Sequence, residues 1–341
     1  VPFQRCAAAF ALAASCVGGS AYADFGYNDG KVLLTEAVSM ADGASGGGAV
    51  PWATIAGNET RDGINANTHY TYVYLPNYSF DSFGAAIGFF DRFEVSYAYD
   101  ILPTGSTFDT VGLLTSALSG SGANTGTAGI NPWNTTIKMS VFGAKIRLIG
   151  EAIYDSDNLI PQVAIGGFYK VNDDKILLET LGAKKASDFE AYAAITKIFF
   201  PISTVVDLTV RYTGANEIGL TGFGNSTGDH RKPRFEGSIG YLLAKSLVIG
   251  GEYQQHGNNL GGKSVNLDGI NLTGVTSVLG AVGLGNLDAA LTQLHESSWK
   301  DLFIAYAPYK NISFTGAILD FGNITLTPNQ FGYYISVAAS F

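Results

Sequence analysis

Polar and apolar residues alternate with a period of two over segments of about ten residues along most of this chain. The clearest segment runs from residue 93 to 101, where Phe93, Val95, Tyr97, Tyr99 and Ile101 share one face and Glu94, Ser96, Ala98 and Asp100 share the other. Successive side chains of a strand point to opposite faces, so the pattern predicts a strand with one apolar and one polar side. Val206, Leu208, Val210 and Tyr212 against Asp207, Thr209 and Arg211 repeat it, as do Phe235, Gly237, Ile239 and Tyr241 against Glu236, Ser238 and Gly240. Charge interleaved with apolar groups suits a barrel in lipid, which must show apolar side chains outward and tolerates polar ones inward.

Segments of this kind fall at 31–40, 50–56, 64–75, 79–90, 93–101, 137–149, 161–170, 189–199, 204–213, 233–243, 246–255, 297–307, 311–320 and 331–341. The connections alternate in length. Short ones lie at Asp91-Arg92, 201–203, Ala244-Lys245 and 308–310; long ones at 102–136, 171–188, 214–232 and 256–296. Short periplasmic turns and long outer loops are the habit of outer-membrane barrels, and an even strand number leaves both barrel ends on the periplasmic side. The reading is all-β: a single transmembrane, antiparallel, up-and-down β-barrel of about fourteen strands, with twelve as the alternative count. Its extracellular loops are long and hold short helices. Only residues 24–30 precede the first of these segments, which leaves little room for a plug domain.

Composition agrees. The 341 residues hold 43 Gly, 18 Tyr and 21 Phe against two Met and two Cys, which favours many short strands and tight turns. After the first twenty residues no apolar run is long enough for a transmembrane helix. Residues 1–23 read as a signal peptide: Arg5 is their only charge, residues 7–17 form a short apolar stretch, and Ala21-Tyr22-Ala23 precedes Asp24 as a cleavage site. A lipoprotein cleaved before Cys16 is the alternative. The barrel then occupies 24–341, without cysteine, since Cys6 and Cys16 leave with the signal. Net charge is −9, and loss of Arg5 makes it more negative, which argues against a nucleic-acid partner.

Aromatic residues suggest where the membrane boundaries fall. Tyr74, Tyr99, Tyr169, Tyr212 and Tyr253 end outward-running strands, while Trp133 and Trp299 begin inward-running ones, so all seven fall at one height. Phe89, Phe93, Tyr241 and Phe341 fall at the other boundary. The last segment places Phe331, Tyr333, Ile335, Val337, Ala339 and Phe341 on one face and stops at an aromatic carboxy-terminus. That ending resembles the signal read by the bacterial barrel-assembly machinery. Outer-membrane lipid and lipopolysaccharide are the other expected partners.

Several stretches also resemble a known family. They are Gly30-Lys31-Val32-Leu33-Leu34-Thr35, Gly46-Gly47-Gly48 to Pro51-Trp52-Ala53, Leu75-Pro76-Asn77-Tyr78-Ser79 and Asp91-Arg92-Phe93-Glu94-Val95-Ser96-Tyr97-Ala98. Arg234-Phe235-Glu236-Gly237-Ser238, Ala305-Tyr306-Ala307-Pro308 and Asp320-Phe321-Gly322-Asn323-Ile324 continue the match. In these the chain resembles an uncharacterised proteobacterial outer-membrane barrel family, the domain-of-unknown-function family numbered 3034. The resemblance implies a barrel and brings no chemistry. The 256–296 loop looks like an expansion of that pattern.

The candidate pore-lining residues are His69, Glu94, Asp100, Lys145, Arg147, Lys170, Asp207, Arg211, Glu236 and Glu252. Charges on a lumen wall can select solutes, or can pair and stiffen the interior; their mixed signs argue against strong ion selectivity. Two loop stretches, 111–118 and 278–291, are apolar for exposed segments; they suit capping of the barrel or packing on lipopolysaccharide, with a route for small hydrophobic solutes as the other reading. The histidines (His69, His230, His256 and His295) have no metal-ligand spacing, and Asp229-His230 reads as a solvated loop pair. No cofactor, metal or enzymatic activity is expected. The chain reads as an outer-membrane channel for small solutes, with a structural or surface-interaction barrel as the alternative and an outer-membrane hydrolase last.

Overall fold

The computed structural model describes residues 39–57, 63–105, 108–109, 112, 135–151, 158–263, 294–309 and 311–340. The strands are β1 (Ile64–Tyr74), β2 (Ser79–Phe89), β3 (Phe93–Pro103), β4 (Thr136–Ile149), β5 (Gln162–Asn172) and β6 (Ser187–Phe199), followed by β7 (Thr204–Thr213), β8 (Lys232–Ala244), β9 (Leu247–Gln254), β10 (Trp299–Tyr309), β11 (Ile312–Asp320) and β12 (Phe331–Ser340). Each pairs antiparallel with its sequence neighbours, and β1 pairs with β12 from Asn67↔Ser340 to Tyr74↔Tyr333, which closes the barrel. Closure leaves no open sheet edge, the condition for a sheet to sit in hydrocarbon. No described helix is long and apolar enough to cross a membrane.

The alternation read from the sequence becomes an inside and an outside. In β3, Phe93, Val95 and Tyr97 are exposed while Glu94, Ala98 and Asp100 are buried; in β7, Leu208, Val210 and Tyr212 are exposed while Asp207, Thr209 and Arg211 are buried. The outer wall therefore carries a nearly continuous belt of large apolar side chains, among them Phe142, Ile165, Phe235, Ile239, Leu302 and Ile335. A belt of that extent belongs against lipid.

The short connections 90–92, 200–203 and 245–246 lie at one end, while the four residues 75–78 join β1 to β2 at the other. Between β2 and β3, Phe90 and Asp91 both adopt left-handed backbone and Arg92 N–H returns to Phe89 O (2.9 Å), which closes a tight three-residue connection. At the opposite end lie 104–135, 173–186, 214–231, 255–298 and 321–330. A short α-helix there, α1 (Lys175–Thr180), sits between β5 and β6. The apolar stretches 111–118 and 278–291 lie outside the described residues, Gly112 excepted.

The strand count is twelve, the smaller of the two expected. Residues 31–38 lie outside the described residues, and 39–57 are not wall at all. Val50, Ala53, Thr54, Ile55 and Ala56 are all fully buried, so this stretch has no lipid face. Its apolar character comes from being surrounded by barrel, and Pro51, which lacks an N–H, is poorly suited to a strand with neighbours on both sides. The expectation that the amino-terminal part leaves little room for a plug is corrected: the 19 residues 39–57 lie inside the barrel.

Candidate functional site in the barrel lumen

The inner segment is held by hydrogen bonds from wall strands around the circumference. Near the short-turn end, Ser45 N–H and Ala56 N–H donate to the two oxygens of Glu94 (3.1 and 2.8 Å). Lys145 Nζ donates to Ser45 O, Thr54 O and Glu94 (2.9, 2.7 and 3.1 Å), so each of its three protons has an acceptor. Ala53 N–H reaches Thr196 Oγ1 (2.7 Å), whose hydroxyl donates to Asp207 (2.5 Å), and Thr209 links Asp207 to Pro51 O. On the far wall Ala49 N–H donates to Glu252 (2.7 Å).

Higher in the lumen Asp42 joins two cations. Lys170 Nζ lies 2.9 Å from it and Arg211 Nη1 also 2.9 Å. Both cations also meet Glu190 (3.2 and 3.3 Å), and Arg211 grips Glu236 through Nε and Nη2 (2.7 and 3.0 Å). Arg147 pairs with Asp91 (2.6 Å). Such buried groups hold their charges because each has a partner; stripping a partner leaves an uncompensated charge costing about 3–5 kcal/mol.

All ten candidate wall residues are buried. His69 stands 3.4 Å from Ser82, and Asp100 faces Ser82 across the β2–β3 ladder. Ser82 donates to Ala41 O, and in this order the serine stands between histidine and carboxylate, whereas nucleophile activation needs the histidine in the middle. Asp229 is taken up by Lys184 and Lys185 (2.9 and 3.0 Å), whose bonds lower its carboxyl to about 2, and His230 turns to Thr227 (2.9 Å). No group of three or more metal-ligating side chains occurs among the described residues. Asp42 and Glu190 were not among the candidates: Asp42 lies in a stretch read as outside the wall, while Glu190 alternates with Phe189 in β6 and was legible by the rule that found Glu94.

Of the boundary aromatics, Tyr74, Tyr169, Tyr212 and Tyr253 are exposed on the outer wall and Tyr99 is half-buried; Trp133 and Phe341 lie outside the described residues. Trp299 is the correction. It is buried and faces the lumen, because Lys300, Leu302 and Ile304 take the outer positions of β10 and period two then sends Trp299 and Asp301 inward. Its indole N–H donates to Glu217 Oε2 (3.1 Å), and its ring stacks on Phe321 at 3.9 Å and 11°.

Trp299 is part of a chamber. Between the inner segment and the long-loop end lies a cavity of about 80 Å³, lined by Met40, Val73, Leu75, Phe80, Leu102, Leu319, Phe321 and Tyr334 among others. An apolar chamber is unusual in a lumen whose other half is a charge network. Its cover is the 214–231 loop, which folds inward and sends Ile218 and Leu220 into the space. Glu217 and Ile218 are both left-handed (φ 43° and 57°), conformations that cost about 1–3 kcal/mol each outside glycine. Lys170 Nζ holds the strained turn through Ile218 O (2.7 Å). Burial pushes the Glu217 carboxyl well above the usual carboxylate range, and the Trp299 indole and Thr325 backbone offset only part of this. Burial likewise lowers His256, 3.4 Å from Glu217, to about 3, so its imidazole is uncharged at neutral pH.

The family described as "Protein of unknown function (DUF3034)" matches residues 35–338. No curated protein matches the chain. Among solved structures, the KdgM porin is similar at 10% identity with a TM-score of 0.44, over 81% of this chain and 99% of that one. A NanC porin is similar at 6% identity and 0.43, over 80% and 98%. The COG4313 outer membrane channel from Pseudomonas putida F1 follows at 9% identity and 0.41, over 86% and 97%.

Proposed function

The chain belongs to the family described as Protein of unknown function (DUF3034), a membership that brings no activity with it, and from the lumen itself we propose a passive outer-membrane channel for small hydrophobic solutes. The observation that supports this is the apolar chamber inside a closed barrel whose outer wall is also apolar. A lumen that served only as a stiffener would gain more from being filled, since empty apolar space forfeits packing contacts. In this reading solute enters from the long-loop end, rests in the chamber, and leaves when the inner segment yields. The host is a Gram-negative, proteobacterial envelope. Residues 1–23 direct export, the barrel-assembly machinery reads the strand ending in Phe341, and the long loops face lipopolysaccharide. The protein acts without cofactor or catalysis.

The reading is tested by uptake in a Gram-negative host lacking its own general porins, where lipopolysaccharide slows hydrophobic solutes. Expression should speed entry of 2-naphthol and leave that of a trisaccharide unchanged, and Val73→Trp, which fills the chamber, should abolish the gain. Equal uptake with and without the protein would favour the second reading, a structural barrel with a filled lumen. The observation on that side is the charge network that locks the inner segment in place.

A further inference from the structure

The chamber's polar groups specify what its apolar walls do not. Its lining includes Asp42, Glu217 and Asp301 but no lysine, arginine or histidine. Asp42 is saturated by Lys170 and Arg211. Glu217 is different: 98% buried, it spends Oε2 on the Trp299 indole and leaves Oε1 with no well-formed hydrogen bond. Asp301, directly opposite Glu252 in the β9–β10 ladder and two residues along β10 from Trp299, also leaves its Oδ1 without a hydrogen bond.

Resting on the reading of the chamber as a solute site, we infer that it takes an uncharged, largely aromatic or alicyclic alcohol or phenol, anchored through its hydroxyl by Glu217, and that it excludes carboxylates. A buried acceptor without a donor is costly, and a ligand hydroxyl removes that cost on entry. A carboxylate would lose its hydration and meet no cation, since the chamber offers none. The Trp299–Phe321 stack beside Glu217 supplies a flat aromatic wall against which a ring can lie. The strained Glu217–Ile218 turn is what brings the carboxyl to the space, and strain of this kind persists only where surrounding contacts hold it.

The test is binding of three isosteric probes, 2-naphthol, naphthalene and 2-naphthoate, to the refolded full chain in detergent at neutral pH, followed by calorimetry. Naphthol should bind about tenfold more tightly than naphthoate and roughly threefold or more above naphthalene, as one net hydrogen bond predicts. Glu217→Met, which keeps the shape and removes the acceptor, should bring naphthol down to naphthalene. Naphthoate matching naphthol, naphthalene matching naphthol in the unmodified protein, or an unchanged naphthol preference in the folded variant would each overturn the inference while leaving the chamber a solute site. Binding of none of the three would overturn the chamber reading and the inference with it. Should the variant fail to fold, the three affinities of the unmodified protein decide the matter alone.

Discussion

At Gly47 one hydrogen atom makes room for the wall. A Cβ there would lie 1.6 Å from Glu252 Oε1, and at Gly48 one would lie 2.4 Å from Tyr334 Oη. The triple glycine 46–48 thus lets the inner segment approach β9 and β12 closely enough for Ala49 N–H to reach Glu252 (2.7 Å). Glu252 cannot retreat without losing that bond. Gly47→Ala should therefore destabilise the folded state by about 1–3 kcal/mol, the range for overpacking a filled interior, read as a lower temperature for loss of the compact band on a gel. It should also speed proteolysis within 39–57. The glycines were visible in the sequence as a family-like stretch, yet their reason was not, because the carboxylate they accommodate stands some two hundred residues away.

At the scale of elements, the inner segment and the barrel are separable in their energetics. The barrel is closed by ladder bonds between β1 and β12 that do not involve residues 39–57. The upper latch is Asp42, and removing it is cheap for the wall, since Lys170 and Arg211 then face Glu190 and Glu236, two cations against two carboxylates. Asp42→Ala should leave barrel stability nearly intact and release the upper part of the segment. In a planar bilayer this should appear as conductance steps larger or more frequent than those of the unmodified protein; identical traces would mean that the lower contacts to Glu94 and Lys145 hold the plug by themselves. The same network explains how strongly basic wall residues are accommodated. Their positions followed from alternation, but Asp42, which joins Lys170 and Arg211, came from the connection between two segments read as further strands.

At the scale of the whole molecule, the outer belt makes a prediction that no soluble barrel would share. Leu208 lies mid-strand in β7 and is 65% exposed. Leu208→Arg should cost about 2–4 kcal/mol near the bilayer midplane, seen as poorer folding into lipid vesicles. A change of the same kind on a water-facing strand would fall within about 0.5 kcal/mol. The sequence by itself placed the twelve wall strands, though among fourteen candidate segments, and with them most inward and outward faces, the polarity of the long loops and most of the charged wall. Those follow from period-two alternation, and each strand carries that signal locally. Only the tertiary structure decided the inner segment, the inward turn of Trp299, the strained Glu217–Ile218 cover and the chamber between them. A stretch buried inside a barrel is as apolar as one facing lipid, so residues 50–56 read alike in either place. An interior cavity is a relation among the inner segment, seven wall strands (β1, β2, β3, β9, β10, β11 and β12) and the loops between them, and no segment of the chain holds that relation alone.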